Sequence, residues 1–209
     1  MSESRERIIR VAAVLFARHG FHGVTTRAIA AAAGLNIATV HYHVGSKQDL
    51  YDQVHALFHH EEQELLRDIL DYATKHPVTH AAELPAFISQ ILDRLLDFWN
   101  HDPVRIRFRL RHWLDSEVAL AAPEAEADLD LYKRIDESLH VAEQAGIVRL
   151  DVDSGLFLRG FYMLVYGYFL SGAFDWQTLR GDPHDPAHLQ AFKGLLLAYL
   201  CKMMNFTPA

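Results

Sequence analysis

From Thr25 to Lys47 the chain reads TTRAIAAAAGLNIATVHYHVGSK, and this stretch constrains the fold more than any other. Ala28, Ile29 and the four alanines that follow are strong helix formers with little bulk, so their helix can lie close against a neighbour. Thr25 or Thr26 can cap it, and Gly34 supplies the positive φ that a tight turn requires. Asn36 then caps a short helix from Ile37 to about His43. Gly45-Ser46 breaks that helix, and Ser46 caps another beginning near Lys47. This order predicts a helix-turn-helix over about 25–44, a unit that sets its second helix against a duplex groove.

The remaining periodicity is also helical. Ile8, Ala12, Leu15 and Phe16 recur at helical spacing up to a stop at Gly20. An apolar stripe from Leu50 through Val54, Leu57, Phe58, Leu65, Ile69 and Tyr72 predicts a long helix ending at His76-Pro77. Further helices are expected over about 82–100 and 125–145, the latter stopped by Gly146. Ser154 to Phe174 is apolar on nearly every face, and so is Ala187 to Met204. Two such helices need more than one partner to cover them, which predicts a subunit interface. Val104, Ile106, Phe108 and Leu110 alternate with Arg105, Arg107, Arg109 and Arg111, a period that favours a strand. No partner strand is in evidence, however, and Asp102-Pro103 is a good helix start, so a helix is expected there.

The 209 residues carry a formal net charge of −7, unevenly placed. Residues 1–50 hold six basic against three acidic side chains, whereas 51–209 hold 14 against 24. A basic head that meets phosphates and an acidic body held away from them would have this asymmetry. The division expected is a DNA-binding segment over 1–50 and a helical body over 51–209. A single cysteine, Cys201, allows no internal disulfide and no zinc site built on several thiolates, which points to a reducing compartment. The N-terminus has no apolar signal core, and the longest apolar run falls short of the ~20 residues of a membrane span. A cytoplasmic protein without membrane contact is expected.

Three motifs, LFARHGF, TTRAIAAAAGL and YHVGSKQDLY, now resemble the tetracycline-repressor (TetR) family of transcriptional regulators over about Arg7 to Leu57. The resemblance implies an all-α homodimer with an N-terminal three-helix DNA-binding domain and a larger helical domain for effector binding and dimerisation. It implies repression of transcription until a small molecule enters the body. Thr26 and Arg27 would be phosphate contacts, and Ile37, Ala38, Thr39 and His41 would face the bases. Tyr42, His43 and Lys47 would anchor the backbone, and Asn36 stands at the cap. Where the family usually has Tyr, then Tyr or Trp, His and Phe, this chain has His41, Tyr42, His43 and Val44. Asn36 replaces the usual Ser or Thr, and Ala38 the usual Gly or Pro. Ile37 and Ala38 can offer only apolar contact, such as to a thymine methyl, while His41 donates or accepts according to tautomer.

In the body, Phe98, Phe108, Trp113, Phe161, Tyr162, Tyr166 and Phe169 are candidate walls of an apolar effector cavity, although aromatics at helical spacing are usually core. Arg109 and His112, with Arg105, Arg107 and Arg111, offer a counter-ion for an anionic effector or else an ordinary solvated face. The effector is thus open between apolar and anionic. His55, His59 and Glu62 fall near one face of the long helix at a spacing compatible with a metal, but a solvated polar face is the expectation, with no metal and no cofactor. Catalytic signatures such as HExxH, GxSxG or a phosphate-cradling glycine loop are absent from the sequence, so no enzyme is expected. The alternative reading is a DNA-independent helical ligand- or metal-binding protein. The homodimer would form through the last two helices, and the operator would be two-fold symmetric double-stranded DNA.

Overall fold

The computed structural model describes residues 2–114, 122–170 and 182–204, with the side chains of 122–128 excepted. Among the described residues the structure is α-helical, with a single 3-10 turn at Ala81–Glu83 and no strand. The helices are α1 (Glu3–His19), α2 (Thr26–Ala33), α3 (Ile37–Val44), α4 (Lys47–Lys75), α5 (Leu84–His101), α6 (Pro103–Leu114), α7 (Ala122–Gln144), α8 (Ser154–Leu170) and α9 (Pro186–Met203). Residues 171–174 of the expected apolar helix, and Gly181 of the turn after it, lie outside the described residues.

The chain forms two compact units. The first joins Met1–Glu62 to Asp102–Glu124, and the second joins Gln63–His101 to Ala125–Ala209. The first packing unit is therefore larger than the 1–50 segment marked out by sequence, because α6 packs on α1. Its core collects Ile8, Ala12 and Phe16 of α1, Ile29 of α2, Val40 of α3, Leu50, Tyr51 and Val54 of α4, and Phe108 of α6. Aromatic edges knit it together. Phe16 meets Tyr51 edge-on at 5.0 Å between ring centroids, and Tyr51 lies 5.0 Å from Phe108. Such pairs add about 0.5–1.5 kcal/mol each beyond the area they bury.

The alternating segment folds as a helix for a local reason. Pro103 sits in the first turn, and the Asp102 carboxylate accepts from the Val104 amide at 2.9 Å. A strand would have put Arg105, Arg107, Arg109 and Arg111 on one face. The helix separates them, so that Arg105 and Arg109, four apart, reach Glu61 and Glu62 of α4, while Arg107 and Arg111 stay exposed.

In the second unit, α5 packs along α9. Leu92 and Trp99 of α5, Val165 of α8 and Leu196 of α9 are fully buried there. Tyr168 and Phe192 stack face to face at 3.8 Å, and Lys193 of α9 pairs with Asp93 of α5 at 2.5 Å. The opposite sides of α8 and α9 are open. Leu156, Met163 and Leu164 on α8 and Leu195 on α9 are exposed, and among the described residues nothing lies within 4 Å of where a Cβ would stand on Gly167 or Gly194.

Candidate nucleic-acid interface

Local hydrogen bonding builds the turn that carries the recognition helix. Thr25 caps α2, its Oγ1 accepting from the Ala28 amide at 3.1 Å. The amide of Gly34 closes back on α2, and at φ 66° this residue holds a left-handed conformation that would strain any residue with a Cβ. Asn36 caps α3, its Oδ1 accepting both the Thr39 amide at 2.7 Å and the Thr39 hydroxyl at 2.9 Å. Asn36 thus holds the helix start, and the Thr39 hydroxyl proton is engaged within the protein. Thr39 keeps its methyl and its oxygen lone pairs for a ligand.

Val40 and Val44 are buried and root α3 in the core, which turns Ile37, Ala38, His41 and Tyr42 to the outside. Tyr42 is 87 % exposed, its ring against the edge of half-buried His43. His41 Nδ1 stands 2.9 Å from the Gly45 carbonyl. Since a carbonyl only accepts, Nδ1 carries the proton, and Nε2 of the neutral ring is an outward acceptor. Such an atom can take the exocyclic amine of cytosine or adenine in a major groove. Arg27 is exposed and Thr26 half-buried near the N-terminus of α2, where free backbone amides also point.

Two residues have larger structural roles than sequence reasoning assigned. Lys47 Nζ donates to the carbonyls of Phe21 at 3.0 Å and Val24 at 3.1 Å, and lies 4.1 Å from the centre of the Phe21 ring. It ties the α1–α2 loop to the start of α4. Gln53, not anticipated at all, donates to the carbonyls of Val44 at 3.0 Å and Asp49 at 2.9 Å and accepts from Arg5 at 2.5 Å. It joins α1, the end of α3 and α4. The bonds of Lys47 to Phe21 and Val24 and of Gln53 to Arg5 have no local signature, because these partners are 23 to 48 residues apart along the chain.

Ser46 and Asp49 cap α4 reciprocally: the Ser46 amide donates to the Asp49 carboxylate at 2.8 Å, and the Asp49 amide donates to Ser46 Oγ at 3.1 Å. Hydrogen bonds from the Ser46 backbone and side chain hold the Asp49 carboxyl below its ordinary range.

Replacing Lys47 with Met keeps the stem over Phe21 and removes two charge-assisted hydrogen bonds. The expected loss is roughly 1.5–3 kcal/mol of stability, read from chemical denaturation followed by circular dichroism. A loss below about 0.5 kcal/mol would mean the ammonium does not hold the loop.

In the second unit, the inner faces of α4, α5, α7, α8 and α9 enclose a cavity of about 630 Å³. Phe161 and Tyr162, two of the candidates, line it. The other candidates lie elsewhere. Phe108 belongs to the core of the first unit, Arg109 pairs with Glu62, and His112 faces Tyr51 and His55, with Tyr51 Oη 3.3 Å from its Nδ1. Trp113 is exposed at the end of α6 and Phe98 is half-buried on α5. Tyr166 packs against Trp99, and Phe169 against Tyr168 and His184. Much of the wall consists instead of aliphatic residues of α4 and α5, among them Leu66, Ile69, Ile88 and Leu92. His55, His59 and Glu62 are buried, so the solvated face expected for them is wrong: α6 meets His55 through His112, with the rings 4.2 Å apart, and Glu62 through Arg109. Among the described residues no set of three or more His, Cys, Asp or Glu is arranged to hold a metal ion. No described helix is long and apolar enough to cross a membrane.

Helical head, capped turn and outward α3 define a helix-turn-helix DNA-binding protein. Residues 8–54 match the family described as bacterial regulatory proteins, tetR family. The helix-turn-helix segment of this chain is that of this family of DNA-binding transcriptional regulators. No curated protein matches it significantly. Among solved structures it resembles the ketosteroid transcriptional regulator of Mycobacterium tuberculosis, at 18% identity over 98% of this chain and 95% of that one, with a TM-score of 0.62. It is similar to the fatty acid degradation regulator of Bacillus halodurans (18% identity, 96% and 97% covered, TM-score 0.60). A third similar structure is a regulator from Saccharomonospora viridis in complex with choline (24% identity, 96% of each chain covered, TM-score 0.57). At these identities the solved structures speak to the fold.

Proposed function

We propose that this protein is a homodimeric repressor that binds a two-fold-symmetric operator and leaves it when a small molecule enters the cavity of the second unit. The observation that carries the DNA-binding part is the outward face of α3. Ile37, Ala38, His41 and Tyr42 are exposed together, and a large aromatic such as Tyr42 left in solvent is accounted for by a partner. The functional division near residue 50 belongs to this reading: α3 and its supports face DNA, and the helical body takes the effector. Two heads one helical turn apart, about 34 Å, would meet successive major grooves. The exposed apolar sides of α8 and α9, with glycines permitting close approach, support dimerisation through these helices. Leu195→Glu is expected to give a monomer in sedimentation velocity; an unchanged dimer would move the interface elsewhere.

Helix α4 gives the effector a physical route to DNA. Its first half carries Leu50, Tyr51 and Val54 in the head core, and its second half carries Leu66, Ile69 and Leu70 in the cavity wall. A ligand lowers DNA affinity only by the difference between its affinities for the bound and released forms.

The test is fluorescence anisotropy on duplexes from the region upstream of the protein's own gene. Binding should be site-specific and weaken as salt rises. Arg27→Ala should weaken binding to all duplexes alike and lower the slope of log affinity against log salt by about one. His41→Ala should cost roughly 1–3 kcal/mol on the best site and much less on others. Equal affinity for every duplex, or none at low salt, would favour the DNA-independent ligand-binding reading instead.

A further inference from the structure

The geometry points to an uncharged, predominantly apolar molecule as the ligand of the cavity in the second unit, in place of an anion. The inference rests on the effector reading above only in treating this cavity as the effector site. Its volume of about 630 Å³ lies mid-range for pockets that hold small molecules. It equals about twenty water volumes, and so suits a body on the order of twenty non-hydrogen atoms.

The wall is aliphatic and aromatic throughout its depth. Leu92 and Phe157 are buried there, and the described charged residues that line it are Arg134 and Glu137. Both are exposed and lie three residues apart on α7, at a rim where Val141 is 65 % exposed. Their charges cancel as a pair. Arg134 also approaches Asp71, at 4.0 Å. Two of the hydroxyls that line it are engaged: Thr74 donates to the Leu70 carbonyl at 2.9 Å and Ser138 to the Arg134 carbonyl at 2.8 Å; that of Tyr162 is the further polar group there. The arginines that suggested an anionic ligand, Arg105 and Arg109, are paired with Glu61 and Glu62 in the other unit. An anion taken into this cavity would lose its hydration and meet, at the rim, only Arg134, whose charge Glu137 and Asp71 offset, a cost that an uncharged body avoids. A polar end on the ligand would lie at the Arg134–Glu137 rim.

A matched pair of probes separates the alternatives on the full-length protein without DNA. N-phenylnaphthylamine is neutral; anilinonaphthalene sulfonate has the same ring systems with a sulfonate at the middle of the molecule, so both rings cannot enter without it. Fluorescence titration should show the neutral probe binding about tenfold or more tighter than the sulfonate. Ala142→Trp on α7 and Ala73→Phe on α4 fill the cavity from two walls, and each should weaken the neutral probe by about tenfold. A variant counts if it melts like the parent; if neither does, the ratio between the two probes in the parent decides. Affinities within about threefold of each other, no binding of either probe, or full affinity in a folded filled variant would overturn the inference. If the neutral probe binds as expected but leaves operator affinity unchanged, the ligand class stands and the effector-release reading falls.

Discussion

A Phe108→Ala protein is expected to lose roughly 3–5 kcal/mol of stability and to release DNA at temperatures where the parent still binds. Phe108 lies on α6, far along the chain from the recognition helix, yet it is 1 % exposed in the core of the first unit. Its ring meets Tyr51 at 5.0 Å and Phe58 at 5.5 Å, the latter edge-on. Truncation leaves a cavity bordered by these rings. Against a total stability of about 5–15 kcal/mol this is a large fraction. Thermal melts combined with operator binding as a function of temperature would show it. A loss below about 1 kcal/mol would mean that α6 is not part of the head's core.

Arg109→Met is the second large expected effect. The Arg109–Glu62 pair is drawn from water, with side chains only 14% and 10% exposed. Removing the guanidinium keeps much of the side-chain bulk and leaves the carboxylate buried without its main counter-charge, which costs roughly 3–5 kcal/mol. Replacing both, Arg109→Met with Glu62→Met, should recover most of that loss, because neither charge then needs hydration. Arg149–Asp151 supplies the control. Its partners are 75% and 60% exposed, so Arg149→Met should change stability by no more than about 1 kcal/mol. Urea denaturation of the parent and these three variants reads the differences. A double variant as unstable as the single one would show that steric support, and not the buried charge, accounts for the loss.

Both predictions concern residues that sequence reasoning placed in the effector pocket. An aromatic or arginine at helical spacing looks the same on a cavity wall and in a packed core, and only the partner across the gap tells them apart. For Phe108 and Arg109 that partner is α4, about fifty residues away, and no periodicity within α6 identifies it. His55, His59 and Glu62 were misread for the same reason: they read as polar and exposed along α4 alone, yet all three are buried, His55 and Glu62 against α6.

The helix-turn-helix was legible because the interactions that define it are local. Asn36 reaches the amide and hydroxyl of Thr39, Thr25 reaches Ala28, Ser46 and Asp49 answer each other, and Gly34 accommodates a positive φ; each spans three residues or fewer. The helical outcome of Val104–Arg111 followed likewise from Asp102-Pro103 at its start. By itself, then, the order of residues determined where helices begin and end and which short helix follows the turn. Tertiary structure alone decided that Val40 and Val44 point inward and Tyr42 outward, that Lys47 closes a loop and Gln53 joins three helices, and that the cavity is walled by aliphatic side chains. The physical reason is range: caps and turns satisfy backbone groups within one helical turn, whereas burial and ion pairing depend on side chains that meet only when distant segments pack.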